Sequence, residues 1–173
     1  SRAAQLRATI QRHEPDVIQA WMYHGNVATT LVAPSGVPIV WGIHHSLHDL
    51  ENEKFTTRML IKAGATLGSW RSVRRIVYVS QKSQAQHSAL GYPAAKSIII
   101  PNGFNCLAFS PNDGVRVSIR RELGFSDHHL LIGNFGRYHP VKDHELLLRS
   151  FARITKDFTR AHLLLAGSGM TEA

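Results

Sequence analysis

Four short apolar runs alternate with helix-forming stretches through the first hundred residues of this chain, and that alternation constrains its fold more than any other feature. The runs lie at 16–21, 39–43, 75–80 and 97–100. Ile39-Val40-Trp41-Gly42-Ile43 is nearly continuous, the pattern of a strand covered on both faces. Apolar runs separated by helices argue for a parallel sheet, because parallel neighbours need a long crossover whereas a hairpin needs only a turn. Helices are predicted at 3–12, where Ala3, Leu6 and Ile10 share a face, and at 27–33, entered through a His24-Gly25-Asn26 turn. Two more are predicted at 50–67 and at 83–90, the latter stopped by Gly91-Tyr92-Pro93. In the 50–67 helix, Phe55, Met59, Ala63 and Leu67 stand at four-residue steps and predict the buried stripe.

Beyond Pro101-Asn102-Gly103, a firm turn signal, the periodicity fades. Residues 104–128 read as a linker and a basic entry helix, after which the pattern restarts. A strand at 130–135, a loop at 136–142, a helix at 143–157 with Asp143 as N-cap, and a strand at 162–166 are predicted. Leu147, Phe151, Ile154 and Phe158 form the apolar stripe of that helix. The expected class is α/β, with Rossmann-like parallel sheets: a domain at 1–103, the linker, and the first strand-helix-strand of a second domain at 129–173. A doubly wound domain ordinarily begins on a strand, yet this chain opens on a helix and builds only two strands of its second sheet. A fragment of a larger two-domain protein is therefore expected.

The chain has 173 residues, 43% of them hydrophobic and 18% charged, which supplies a core and excludes disorder as the main state. Cys106 stands alone and can form no internal disulfide. No apolar run approaches the ~18 residues of a membrane-spanning helix, and a cytoplasmic setting is expected. The formal charge of +8 points to nucleic acid, an anionic membrane face or a phosphorylated small molecule as partner. Fourteen arginines against six lysines lean towards planar recognition of phosphate or carboxylate. Composition alone favours a merely solvated basic surface.

Four constellations could carry chemistry. Gly136-Arg137-Tyr138-His139-Pro140-Val141-Lys142 joins a strand to a helix N-terminus, so backbone N–H groups, the helix dipole and two cations converge where α/β sheets bind ligands. It lacks the Gly-Lys-Ser/Thr of a Walker loop. Gly167-Ser168-Gly169 follows the last strand and admits close backbone approach or a plain turn. His44-His45, with His24, closes presumed parallel strands and is expected to face one crevice. A zinc site from His44 and His48 finds no completing ligand. Arg71, Arg74 and Arg75, with Arg58 and Lys62, suggest a basic face suited to an anionic leaflet or simply to water. Zinc-finger spacing, an RRM core motif and interleaved aromatics are all missing, which argues against nucleic acid.

Taken in order, Arg75-Ile76-Val77-Tyr78-Val79-Ser80, Ile100-Pro101-Asn102-Gly103-Phe104, Phe109-Ser110-Pro111, Arg120-Arg121-Glu122-Leu123-Gly124, Gly133-Asn134-Phe135-Gly136-Arg137 with Lys142, and Leu164-Leu165-Ala166-Gly167-Ser168-Gly169 resemble the GT-B glycosyltransferases of family GT4. The resemblance implies a retaining, hexosyltransferase-type transfer from a nucleotide-diphosphate sugar to a polysaccharide or lipid-linked acceptor, with two Rossmann-like domains and no required metal or other cofactor. It assigns Arg137, Lys142 and Gly136 to the donor diphosphate, Gly167 and Gly169 to the vicinity of the nucleotide, and His44, or His45 one register on, to the reaction centre. It also implies a cytoplasmic protein with a peripheral contact at the inner membrane face as an open option. The family's glycine-rich first loop and its paired glutamates fall outside the chain, so this segment is expected to be inactive alone. Nucleotide-sugar epimerase or phosphorylase chemistry on the same fold, or a basic module that binds polyanions, are the alternatives.

Overall fold

The computed structural model describes residues 1–47, 50 and 53–170. The chain forms two compact units, Ser1–Phe104 and Asn105–Ala173. In the first, α1 (Arg2–His13) leads to β1 (Ile18–Trp21), α2 (Met22–Val32), β2 (Ile39–Ile43), α3 (Phe55–Leu67), β3 (Val73–Tyr78), α4 (Gln81–Ala89) and β4 (Ser97–Ile99). The four strands are parallel and lie in chain order. Parallel crossovers follow one hand as a rule, so connections between sequential neighbours put their helices on one face of the sheet. Ile39, Trp41 and Ile43 of β2 and Ile76 and Tyr78 of β3 pack there against Tyr23, Val27, Ile61, Leu67 and Tyr92. Two buried polar groups in this core are linked in a chain: the Trp41 indole N–H donates to Thr30 Oγ1 at 3.0 Å, and the Thr30 hydroxyl donates to the Asn26 carbonyl at 2.8 Å. Lys96 Nζ donates to the carbonyls of Gly68, Ser69 and Trp70 at the end of α3. Desolvation, and then the charge of Arg74, lower its pKa.

Three features of this unit differ from the sequence-based expectation. The coverage predicted for both faces of β2 is met on one: Val40 and Gly42 line an open groove with Gln19, Arg75, Val77 and Ile98. The His24-Gly25-Asn26 turn is instead the interior of α2, which starts directly after β1 through Met22 at φ +59°. In α3, Phe55 and Met59 are exposed and the buried positions are Ile61, Gly64 and Leu67. A Cβ at Gly64 would overlap the Tyr92 hydroxyl, which donates to the Ile61 carbonyl at 2.8 Å. The close approach of Tyr92 therefore selects the face. Of the residues predicted to open this helix, 51 and 52 lie outside the described residues, as does His48.

The second unit contains α5 (Asp113–Glu122), β5 (Leu130–Phe135), α6 (His144–Asp157) and β6 (Ala161–Ala166), with β5 and β6 parallel. Of residues 104–128, read from the sequence as a linker and entry helix, Phe104 closes the first unit and 105–128 belong to the second. Arg120 shows why. Its buried guanidinium donates to the carbonyls of Ser126, at 2.6 Å, and His129, at 2.5 Å, tying α5 to the turn before β5.

Candidate functional site

Unit two brings the glycine motifs together at the carboxyl ends of its two strands. The Gly136 N–H donates to the Ala166 carbonyl and the Tyr138 N–H to the Ser168 carbonyl, both at 2.8 Å. The strand ladder thus continues into both loops. Gly167, at φ +154°, lies so close that a Cβ would overlap the Gly136 carbonyl. Gly169, at φ +79°, leaves 3.1 Å for a Cβ before Tyr138. Only glycine fits this interlock. Lys142 folds back over Gly136, with Cε 3.6 Å from the place a Cβ would take, so its ammonium-bearing stem lies beside the strand end from which the exposed Arg137 emerges.

The turn from loop to helix is built by side chains. His139 Nδ1 accepts from the Val141 N–H at 3.3 Å, opening a single 3₁₀ turn. Asp143, at φ +47°, caps α6 by accepting the Leu146 N–H at 3.1 Å, as the sequence predicts. His144 follows, buried at 6% exposure beneath the Tyr138 ring, 5.4 Å away. Its ring nitrogens have no hydrogen-bond partner among the described residues. Sequence reasoning did not single out His144 or Tyr138.

The histidines of unit one diverge instead of sharing a crevice. His44 leaves β2 towards the open sheet face, its backbone N–H donating to Met22 Sδ at 3.4 Å and its ring 4.4 Å from that of Trp21. There it helps line a groove of about 550 Å³ with Trp21, Gly42, Arg75, Asn102 and Gly103. His45 turns to the helix side, with Nε2 2.9 Å from Glu53 Oε1. His24, carried by α2 and not by a strand end, lines a smaller groove of about 240 Å³ with Met22, Tyr23, His45, Glu53 and Thr57. The predicted grouping of His24 with His44 is therefore corrected. Successive residues leaving a strand point to opposite faces, and that alternation separates His44 from His45.

Behind His45 lies a buried cluster the sequence did not announce. His87 is fully buried among Tyr23, Tyr78 and Tyr92. Its Nδ1 lies 2.7 Å from the Ser83 carbonyl and its Nε2 2.9 Å from the Tyr23 hydroxyl. Since a carbonyl can only accept, Nδ1 carries the proton and the tyrosine donates to Nε2. Burial lowers the His87 pKa, raises that of Tyr23 and pushes the Tyr78 hydroxyl up to about 12.

The basic residues form no single face. Arg75 lines the open sheet face, Arg71 and Arg74 line a separate groove with residues 35–38, and Arg58 lies over the Phe55 ring at 5.7 Å. Among the described residues no helix is long and apolar enough to cross a membrane.

The family model described as Glycosyltransferase Family 4 matches residues 1–106. A stretch of 71 residues is 34% identical to the protein named "Putative glycosyltransferase EpsF" of Bacillus subtilis (strain 168), covering 41% of this chain and 18% of that protein. Anabaena Alr3699/HepE in complex with UDP and glucose superimposes with a TM-score of 0.79 at 22% identity, over 97% of this chain and 43% of that one. Its complex with UDP-glucose gives 0.71 at 19% identity, over 96% and 52%. The catalytic domain of Starch Synthase IV from Arabidopsis thaliana, bound to ADP and acarbose, gives 0.64 at 14% identity, over 97% and 46%. The chain thus spans about half of each solved relative and less than a fifth of EpsF. The likenesses establish its fold as α/β with parallel Rossmann-like sheets in a partial GT-B arrangement.

Proposed function

This chain belongs to Glycosyltransferase Family 4, and on that premise we propose that it serves in the transfer of a sugar, of hexosyl type, from a nucleotide-diphosphate donor to a polysaccharide or lipid-linked acceptor with retention at the anomeric carbon. The observation that carries the reading is the interlocked strand end of the second unit. Gly136 and Gly167 bring two backbones into contact there, and Arg137 and Lys142 stand at the same edge. As the bond from the anomeric carbon to the diphosphate oxygen breaks, negative charge grows on the diphosphate. A guanidinium and an ammonium already in place stabilise that charge, and transfer needs no added divalent metal or other cofactor. Gly167 and Gly169 keep the floor beside the nucleotide free of side chains. His44 hydrogen-bonds the donor sugar from its exposed place at the end of β2.

The printed descriptions of the relatives support the donor class, since HepE is bound to UDP and UDP-glucose and Starch Synthase IV to ADP. The reading places the protein in the cytoplasm, without nucleic acid as a partner. Arg71 and Arg74 beside the half-exposed Trp70 suit a peripheral contact with an anionic membrane surface.

The test is calorimetric titration of the whole protein that carries this chain with UDP, GDP and ADP, alone and as sugar conjugates, with and without divalent metal. One nucleotide diphosphate is expected to bind without metal, and Arg137→Ala to abolish that binding with the fold intact. Failure of every nucleotide to bind, together with steeply salt-dependent binding of nucleic acid, would overturn the reading in favour of a polyanion module.

A further inference from the structure

We propose that Ser83 and Gln86 on α4 are positioning residues that hold the segment after β2 so that His44 meets the donor sugar, an assignment that rests on the role given to His44 above. The observation behind it is the inner face of α4. A helix packed on a parallel sheet ordinarily turns an apolar stripe inward. Helix α4 buries only Ser83 and His87. With half-buried Gln86 between them, these residues occupy positions i, i+3 and i+4 of one face.

What that polar face meets is the backbone of residues 45–47, which belongs to no helix or strand. The Ser83 hydroxyl donates to the His45 carbonyl at 2.5 Å. Gln86 engages Leu47 twice: its Oε1 accepts the Leu47 N–H at 2.9 Å and its Nε2 donates to the Leu47 carbonyl. One side-chain amide thereby satisfies both backbone groups of a residue, as a neighbouring strand would. The Leu47 side chain is itself buried in the core. His87 completes the support from below, accepting from Tyr23, whose ring meets the His45 ring edge-on at 6.1 Å. The segment is held at His45 and Leu47 by α4, and at His44 by Met22 Sδ. The bonds of Ser83 and Gln86 go to the backbone of His45 and Leu47, so both residues act on His44 through the backbone they hold.

A misplacement of about 1 Å in a reacting constellation can cost on the order of a hundredfold in rate. In the whole protein, Gln86→Leu keeps the side-chain bulk and removes both bonds. It is expected to lower kcat by about 10- to 100-fold while nucleotide-diphosphate affinity stays unchanged. Gln86→Glu keeps the acceptor for the Leu47 N–H and should lose less. In the His44→Ala background, Gln86→Leu should slow turnover no further, because a residue acting through His44 has nothing left to position. Ser83→Ala gives an independent second reading of the same cycle. Full kcat in Gln86→Leu, or losses that simply multiply with those of His44→Ala, would overturn the proposal while leaving His44 in its role. Unchanged turnover in His44→Ala alone would remove the role of His44, and the proposal with it.

Discussion

In the first unit His44 leaves a strand whose Ile39, Trp41 and Ile43 are almost wholly buried, whereas in the second Arg137 leaves a strand whose Leu130 and Phe135 are exposed at 49% and 83%. Ala161 is the one buried hydrophobic residue of the second unit among those described. The two segments that carry the proposed site residues are accordingly held by different means. Side-chain packing and side-chain to backbone bonds hold the residues after β2. Backbone bonds between two glycine-bearing loops hold Arg137, with Lys142 laid across Gly136. Packing resists truncation poorly and tolerates a local backbone change, while a glycine interlock does the reverse.

That contrast can be broken by four measurements. The largest effect is expected from Trp41→Ala, which removes a buried aromatic and the indole N–H that the Thr30 oxygen accepts. It should cost about 3–5 kcal/mol in chemical denaturation, against about 1 kcal/mol or less for Leu147→Ala in the half-buried face of α6. Equal losses would erase the difference between the units. Next comes Gly167→Ala, whose Cβ would run into the Gly136 carbonyl and the Arg137 backbone nitrogen. It should weaken nucleotide-diphosphate binding by about 100-fold, or ~2.7 kcal/mol, without moving the denaturation midpoint of the first unit. Undiminished binding would show that the interlock does not shape the site. Gly64→Ala tests the first unit with the same substitution. Tyr92 must move, at about 1–3 kcal/mol of stability, and nucleotide affinity should not change.

The smallest effect is on pH dependence. Burial lowers the folded-state pKa of His87 below its ordinary value of about 6.5, so its contribution to stability is complete above that value. As pH falls, the unfolded chain takes up the proton first and stability declines until the folded-state pKa is passed. Denaturation of the first unit between about pH 7.5 and pH 5 should show this slope, and His87→Gln should flatten it. An unaltered slope in His87→Gln would assign the acid sensitivity to another group.

Several elements were legible beforehand because their signals are local. The run from Ile39 to Ile43 is β2 residue for residue, the strand predicted at 130–135 is β5, and Asp143 caps α6. The face of α3 was not legible. Positions four apart drift about 40° per step on a helix of 3.6 residues per turn, so Phe55 and Leu67 cannot share a narrow stripe. The choice of Ile61, Gly64 and Leu67 was made by Tyr92, which lies 28 residues beyond Gly64 in the sequence. The start of α2 was hidden by Gly25, which has open space around it and imposes no turn. The polar inner face of α4 gave no apolar period to read, so Gln86 and His87 passed unremarked.

The amino-acid order by itself determined the alternation of strands and helices, the parallel sheets that follow from it, and the glycine and basic motifs at the end of β5. Those are matters of neighbouring residues and of chain length between them. Which face of α3 turned inward, the Tyr23 partner of His87, and the clamp of Gln86 on Leu47 were decided only in three dimensions. Tyr92 against Gly64, Tyr23 against His87 and Gln86 against Leu47 are partners tens of residues apart, and no local periodicity encodes their approach.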